Sequence, residues 1–136
     1  MSPSKQIVIV GCGRLGGALA NTLSLEGHRV VVIDQKESAF DKLTAGFSGF
    51  KIIGDAVELH ILKQAQLHLA DYLFATTTSD NTNLMIAQVA KIIFNVPKVV
   101  ARVFNPGREA MYKDFGVETI NPTQLSAIAF LQTMSR

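Results

Sequence analysis

The chain has 136 residues, 48% of them hydrophobic and 18% charged, with a formal net charge of +2. That is the make-up of about one compact domain, and it excludes disordered and fibrous classes. The small charge and scattered basic residues argue against nucleic-acid binding, the single cysteine excludes a disulfide framework, and no apolar run is long enough to span a bilayer.

The chain starts "MSPSKQ", without the apolar core of a secretory signal, so a cytosolic location is expected. Residues 7–10 ("IVIV") and 30–33 ("VVVI") are apolar runs that do not alternate with polar residues. Strands buried on both faces look like this. Further strands are expected at 51–53, 72–75, 99–103 and 118–120. Helical spacing fills the gaps: Leu15, Leu19 and Leu23 share one face, and Leu84, Ala87, Lys91 and Ile92 recur similarly later. "EGH" at 26–28 and "NVP" at 95–97 close helices, whereas "NPG" at 105–107 and "NP" at 121–122 open them, with proline near the first helical position. The alternation of strand and helix predicts an α/β fold. It is a Rossmann-like, doubly wound parallel sheet of about six strands with helices on both faces. Residues 1–136 read as one domain without a linker or repeat.

"GCGRLG" places Gly11, Gly13 and Gly16 in G-x-G-x-x-G spacing between the first strand and the first helix. Gly11 allows the tight turn, Gly13 lets backbone approach a pyrophosphate, and Gly16 lets the helix pack against the sheet. The helix N-terminus offers N–H groups and partial positive charge to an anion. Asp34 ends the second strand about 20 residues on, where an acid bonds adenosine ribose hydroxyls and disfavours a 2′-phosphate. The loops "GDA" (54–56) and "TTTSDNTN" (76–83) follow the third and fourth strands and open on the same edge of the sheet. Asp55, Asp80 and Asn81 read either as helix caps or as ligand contacts, Asp55 leaning toward the adenine side. Arg102 and Arg108 flank the end of the fifth strand and either pair with acids or approach the ligand. The candidate cofactor-binding residues are Gly11, Cys12, Gly13, Arg14, Leu15 and Gly16 in the loop, and Asp34 with Gln35 after the second strand. Gly54, Asp55 and Ala56, then Thr76, Thr77, Thr78 and Asn83, and finally Arg102 complete the set.

No catalytic or metal constellation accompanies them. His28 lies at the edge opposite the crevice, and His60 and His68 lie in or near a helix without an obvious carboxylate partner. Cys12 reads as a small filler rather than an activated thiol. The last helix, at about 122–135, has apolar residues around most of its circumference, as expected of a helix that meets a partner.

Taken together, "IVIVGCGRLGGALANTL", "VVVID", "GDA", "ATTTSDNTNLMIAQVAKIIFNVPKVVARV" and "FGVETINP" resemble the nucleotide-binding N-terminal lobe of RCK/KTN (TrkA-N) domains, the cytosolic regulators of Trk and Ktr potassium transporters and of some potassium channels. The resemblance runs from about Lys5 to Arg136. It implies a Rossmann-type lobe that binds NAD(H), ATP or ADP, without turnover, to gate ion flux. It also implies homodimers, assembled into a ring beneath a membrane-embedded potassium transporter or channel subunit, with the last helix crossing to a neighbour. Such a protein is cytoplasmic, peripheral to the inner face of the membrane, and not inserted in it. The matching arginine of Ktr-like "GRFG" loops reaches a nucleotide phosphate, which implies that role for Arg14, the alternative being an arginine that faces solvent. "TTTSDNTN" is closer to Trk-type members, which favour NAD(H). Thr123 stands where some ATP-binding members have a glutamate that serves a metal or phosphate site. Many members continue into a second lobe, so the chain reads as a single-lobe member or a fragment. The competing reading is the cofactor lobe of an NAD-dependent oxidoreductase.

Overall fold

A computed structural model describes residues 3–136. Six parallel strands form one sheet: β1 (Gln6–Val10), β2 (Arg29–Asp34), β3 (Phe50–Ile53), β4 (Tyr72–Ala75), β5 (Lys98–Arg102) and β6 (Glu118–Ile120). Their order is β3-β2-β1-β4-β5-β6. The connecting helices are α1 (Arg14–Leu25), α2 (Leu59–Gln64), α3 (Asp80–Ile92) and α4 (Glu109–Asp114), and α5 (Pro122–Gln132) follows β6. This is the expected doubly wound architecture. The order reverses between β1 and β4, so the loops leaving them diverge and open a crevice at their carboxyl ends.

The unalternating runs have the physical cause expected of them. Val8 and Val10 point into a core shared with Ile33, Leu73, Ala75, Val99 and the helices α2, α3 and α4. Ile7 and Ile9 point the other way, into a smaller core with Val30, Val32, Ala20 of α1 and Phe40. Both sets are buried, so both must be apolar. Over β4 to β6 that second face is covered less well: Tyr72, Phe74 and Val100 are only half-buried.

The punctuation behaves as read. Asn105 and Asn121 accept from Gly107 N and Gln124 N, with Pro106 and Pro122 at the first helical positions. The β2–β3 connection departs from strict alternation, since it holds a 3-10 turn (Glu37–Lys42) in place of an α-helix. Phe40 alone is buried there, too little apolar surface to seat a full helix. Asn21 of α1 pins the turn, donating to Lys42 O at 3.1 Å and accepting from Thr44 N at 3.0 Å. His60 is corrected too: Glu58 Oε2 lies 3.4 Å from its Nε2, although both side chains are more than half exposed.

Tyr112 of α4 is fully buried and donates to Asp80 O at 2.7 Å. Burial first, then the Asp80 carboxylate, push its phenol up to about 12, against an opposing pull from Arg108. A raised pKa means that the protonated form favours the fold. That contribution is complete below the unfolded value near 10 and is lost as pH climbs through about 12. Urea unfolding at pH 9 and pH 11 should therefore show the wild type losing about 1 kcal/mol more than Tyr112→Phe over that step. Equal losses in the two proteins would remove Tyr112 as the source.

Candidate functional site

A cleft of about 390 Å³ lies at the carboxyl edge of the sheet, above β2, β1 and β4. Its floor is the glycine loop between β1 and α1. Gly11 has φ +98, a conformation that favours glycine, and its N–H donates to Ile33 O at 2.8 Å. A Cβ on Gly13 would meet nothing within 4 Å, so backbone here faces open space. A Cβ on Gly16 would lie 1.8 Å from Gly11 O, so the first turn of α1 presses directly on the loop. Gly11 and Gly16 thus serve the tight turn and the close helix packing expected of them.

Asp34 closes one end of the cleft. Its Oδ2 accepts from Cys12 N at 2.8 Å and its Oδ1 from Lys36 N at 2.9 Å. Each oxygen keeps acceptor capacity for a hydroxyl. Cys12 is fully buried beneath the loop. Burial first, then the Asp34 carboxylate, raise its thiol pKa, with Lys42 and Lys51 opposing. The thiol is therefore protonated at neutral pH and acts as filler.

The other end is built by the β4–α3 loop and β5. Thr76 N donates to Val10 O at 2.9 Å, and the Thr76 hydroxyl lies 2.9 Å from both Val10 O and Gly11 O. Asn83, fully buried, accepts from Thr77 N and from the Thr77 hydroxyl, and donates to Thr77 O and Arg102 O. The Arg102 guanidinium donates through Nη2 to Thr76 O at 2.5 Å and Thr77 O at 3.2 Å, and it stacks 4.9 Å from the Phe104 ring. Burial lowers its pKa from the ordinary arginine value.

Of the residues singled out from sequence, Gly11, Cys12, Gly13, Asp34 and Gln35 line this cleft. So do Gly54, Asp55, Ala56, Thr76, Thr77, Thr78 and Arg102. Arg14, Leu15, Gly16 and Asn83 lie outside the lining. Arg14 is exposed on the first turn of α1, Gly16 packs behind the loop, and Asn83 is a brace under Thr77. Neither Asp80 nor Asn81, read as caps or ligand contacts, caps α3: Ser79 does, accepting from Thr82 N at 3.2 Å. Asp80 instead accepts from Phe104 N and Asn105 N, and Asn81 accepts from Arg108. Asp55 closes a local turn onto Val57 N at 3.0 Å. Lys36, Lys42 and Thr82 line the cleft without having stood out in the sequence. Lys42 gives no local signal, because only the docking of the 3-10 turn on α1 brings it there.

The sequence model of the TrkA-N domain matches residues 7–122. The chain belongs to the TrkA-N domain family. A relative from Streptomyces coelicolor, described as Trk system potassium uptake protein TrkA, is 35% identical over 128 residues. The match covers 94% of this chain and 57% of that protein, so this TrkA-N domain spans little more than half the length of that relative. The TrkA-N domain of the inner membrane protein ybaL from Escherichia coli superposes with a TM-score of 0.86 at 21% identity, covering 98% of each chain. The GsuK channel bound to NAD superposes with a TM-score of 0.76 at 18% identity, over 90% of this chain and 22% of that one. GsuK has also been solved bound to ADP. At these identities the structural likeness is one of fold. No helix among the described residues is long and apolar enough to cross a membrane.

Proposed function

We propose that this TrkA-N domain is a nucleotide-sensing regulatory module of a potassium transporter or channel. It binds NAD(H) or ATP/ADP reversibly and passes the binding event to a membrane-embedded subunit, at the cytoplasmic face. The observation that carries this reading is the cleft itself. Open backbone at Gly13, the N-terminus of α1 and the Asp34 carboxylate stand in a row at the topological switch point. The name of the Streptomyces relative supplies the potassium-transport context, and the ligands of GsuK supply the nucleotide class. In this reading Gly11, Gly13 and the following N–H groups of Arg14 and Leu15 hold the phosphates, and Gly16 fixes the helix that presents them. Asp34 and Gln35 take the ribose, and Gly54 to Ala56 lie beside the base. Thr76 to Thr78, braced by Asn83, border the far half.

Binding without chemistry is favoured by the lining. Asp34 and Asp55 are each engaged by backbone N–H groups, and Cys12 is a protonated, buried thiol. None is poised as the acid or base that an oxidoreductase lobe needs.

A homodimer through α5 belongs to the same proposal. Beyond its Asn121 cap the helix buries nothing, and Leu125, Ile128, Phe130 and Leu131 are all exposed. Meanwhile the sheet face bearing Phe74 and Val100 lacks full cover. Apolar surface of this kind is stabilised by a second copy. Light scattering should give twice the 14.8 kDa chain mass or a multiple of it, and ATP or NADH incubated with the protein should be recovered unchanged. A monomer at all concentrations, or consumed nucleotide, would contradict the respective part.

A further inference from the structure

We infer that the amino edge of the sheet, opposite the glycine-loop cleft, carries a second ligand site, which takes a small monocarboxylate with an apolar tail. It stands independently of the nucleotide reading. A cavity of about 180 Å³ lies there, between the amino ends of β1 and β2, the start of β3 and the loop that follows α2.

The fold leaves this space open for a physical reason. The six residues of α2 make a helix about 9 Å long, whereas the six residues of β2 span about 20 Å. A Cβ on Gly54, at the carboxyl end of β3, would lie 2.5 Å from Ile61 Cδ1, so α2 packs tightly at that end. At the amino end the lining residues after the helix are Ala65 and Ala70, whose methyls fill little. β3 also starts late. Its first pair with β2 joins Phe50 to Val31, so Arg29 and Val30 have no strand beside them on that side.

The strand register fixes what faces the space. Val8 and Val31 are paired neighbours that pack on the α2 side of the sheet. Alternation places Gln6, Arg29 and Phe50 on the same side. Val8 and Val31 make an apolar floor, and Phe50 lines the cavity while 71% exposed, so it has apolar surface still to bury. Arg29 supplies the polar end. It is exposed, and no carboxylate lies within ion-pair distance of it among the described residues. The Asp71 carboxylate beside Gln6 accepts instead from Gln6 N at 2.8 Å. The carboxamides of Gln6 and Gln66 line the same cavity and can donate N–H groups. Gln66 holds φ 57 just after α2, where glycine is the usual residue, so the position keeps a side chain at a backbone cost. One guanidinium and two carboxamides beside an apolar floor suit a planar carboxylate on a hydrocarbon tail. The volume, about that of six water molecules in the liquid, admits a short branched chain and excludes a nucleoside.

The test is an NMR titration of methyl-labelled protein with 4-methylpentanoate, its neutral amide and acetate, each to about 50 mM, because so small a ligand binds in the millimolar range. The acid should shift the methyls of Val8, Val31, Ala65 and Ala70 in a saturable way, at least tenfold more tightly than the amide or acetate. Arg29→Gln, an exposed change, should bring the acid down to the level of the amide while the glycine-loop amides keep their wild-type shifts. Val31→Phe, which fills the floor, should abolish binding of both acid and amide. Acid and amide binding alike would leave an apolar dent without an anion site and overturn the inference. Acetate matching the acid would reduce Arg29 to a surface cation and overturn it as well. So would binding that survives Val31→Phe, a preference that survives Arg29→Gln, or no shift of the four methyls with any of the three probes.

Discussion

Gly16→Ala is expected to destabilise the protein by about 3 kcal/mol, lowering the melting temperature by roughly 10 °C. The added methyl would sit 1.8 Å from Gly11 O and 2.9 Å from Gly11 C, which are backbone atoms and have no rotamer to escape into. The Thr76 hydroxyl, 2.8 Å away, would be displaced too, and with it the contact between the β4 loop and the crest of β1. Relief therefore requires α1 to move off the sheet, which opens the smaller core at Ala20. Gly13→Ala is the informative counterpart. Nothing lies within 4 Å of its methyl, so stability should change by less than about 1 kcal/mol. Its cost should appear in ligand binding, because the methyl enters the space that faces the cleft. Thermal melts of the two variants with and without nucleotide separate the two roles. If Gly16→Ala melts like the wild type, the close packing of helix and loop is wrong.

Asp34→Ala should lose both stability and ligand. Without the carboxylate, Cys12 N is left buried under the loop with no acceptor, a cost of about 1–3 kcal/mol. Lys36 N loses its acceptor as well, but it is exposed and water replaces the bond. Nucleotide affinity should fall by tenfold or more, since the ribose hydroxyls lose their charged acceptor. Asp34→Asn keeps one carbonyl oxygen, so it should recover most of the stability and little of the affinity. Urea denaturation and calorimetry on the pair of variants read these separately. Affinity unchanged in Asp34→Ala would place the ribose elsewhere.

Much of this was legible in the sequence because the governing physics is local. Strands buried on both faces must be apolar without alternation, and "IVIV" and "VVVI" are. The asparagine–proline pairs at 105–106 and 121–122 carry a cap and a first helical residue side by side, and both open helices. The spacing of Gly11, Gly13 and Gly16 is a statement about backbone, and backbone follows from sequence neighbours.

What escaped depends on chain segments that meet only after folding. Asp34 is bonded to Cys12 N across 22 positions of sequence, and Asp80 to Phe104 N across 24. Neither bond leaves a trace in local pattern, so Asp80 read as either a cap or a ligand contact, whereas its neighbour Ser79 does the capping. Lys42 enters the cleft only because Asn21 draws the Glu37–Lys42 turn onto α1. Asn83 looked like a ligand contact because it is polar and close in sequence to the threonines. Its four hydrogen bonds are instead consumed in holding Thr77 and Arg102.

The most direct test of the nucleotide reading is a thermal-melt panel of the wild type against NAD, NADH, NADP, ATP, ADP and AMP. A ligand present at about 100 times its dissociation constant stabilises the fold by roughly 2.7 kcal/mol, a shift of several degrees. The cleft predicts such a shift with NAD(H) or with ADP and ATP, and the smallest response from NADP, whose 2′-phosphate would face the Asp34 carboxylate. No shift with any of the six would contradict the account, and the glycine loop would then be a tight turn between a strand and a helix and nothing more.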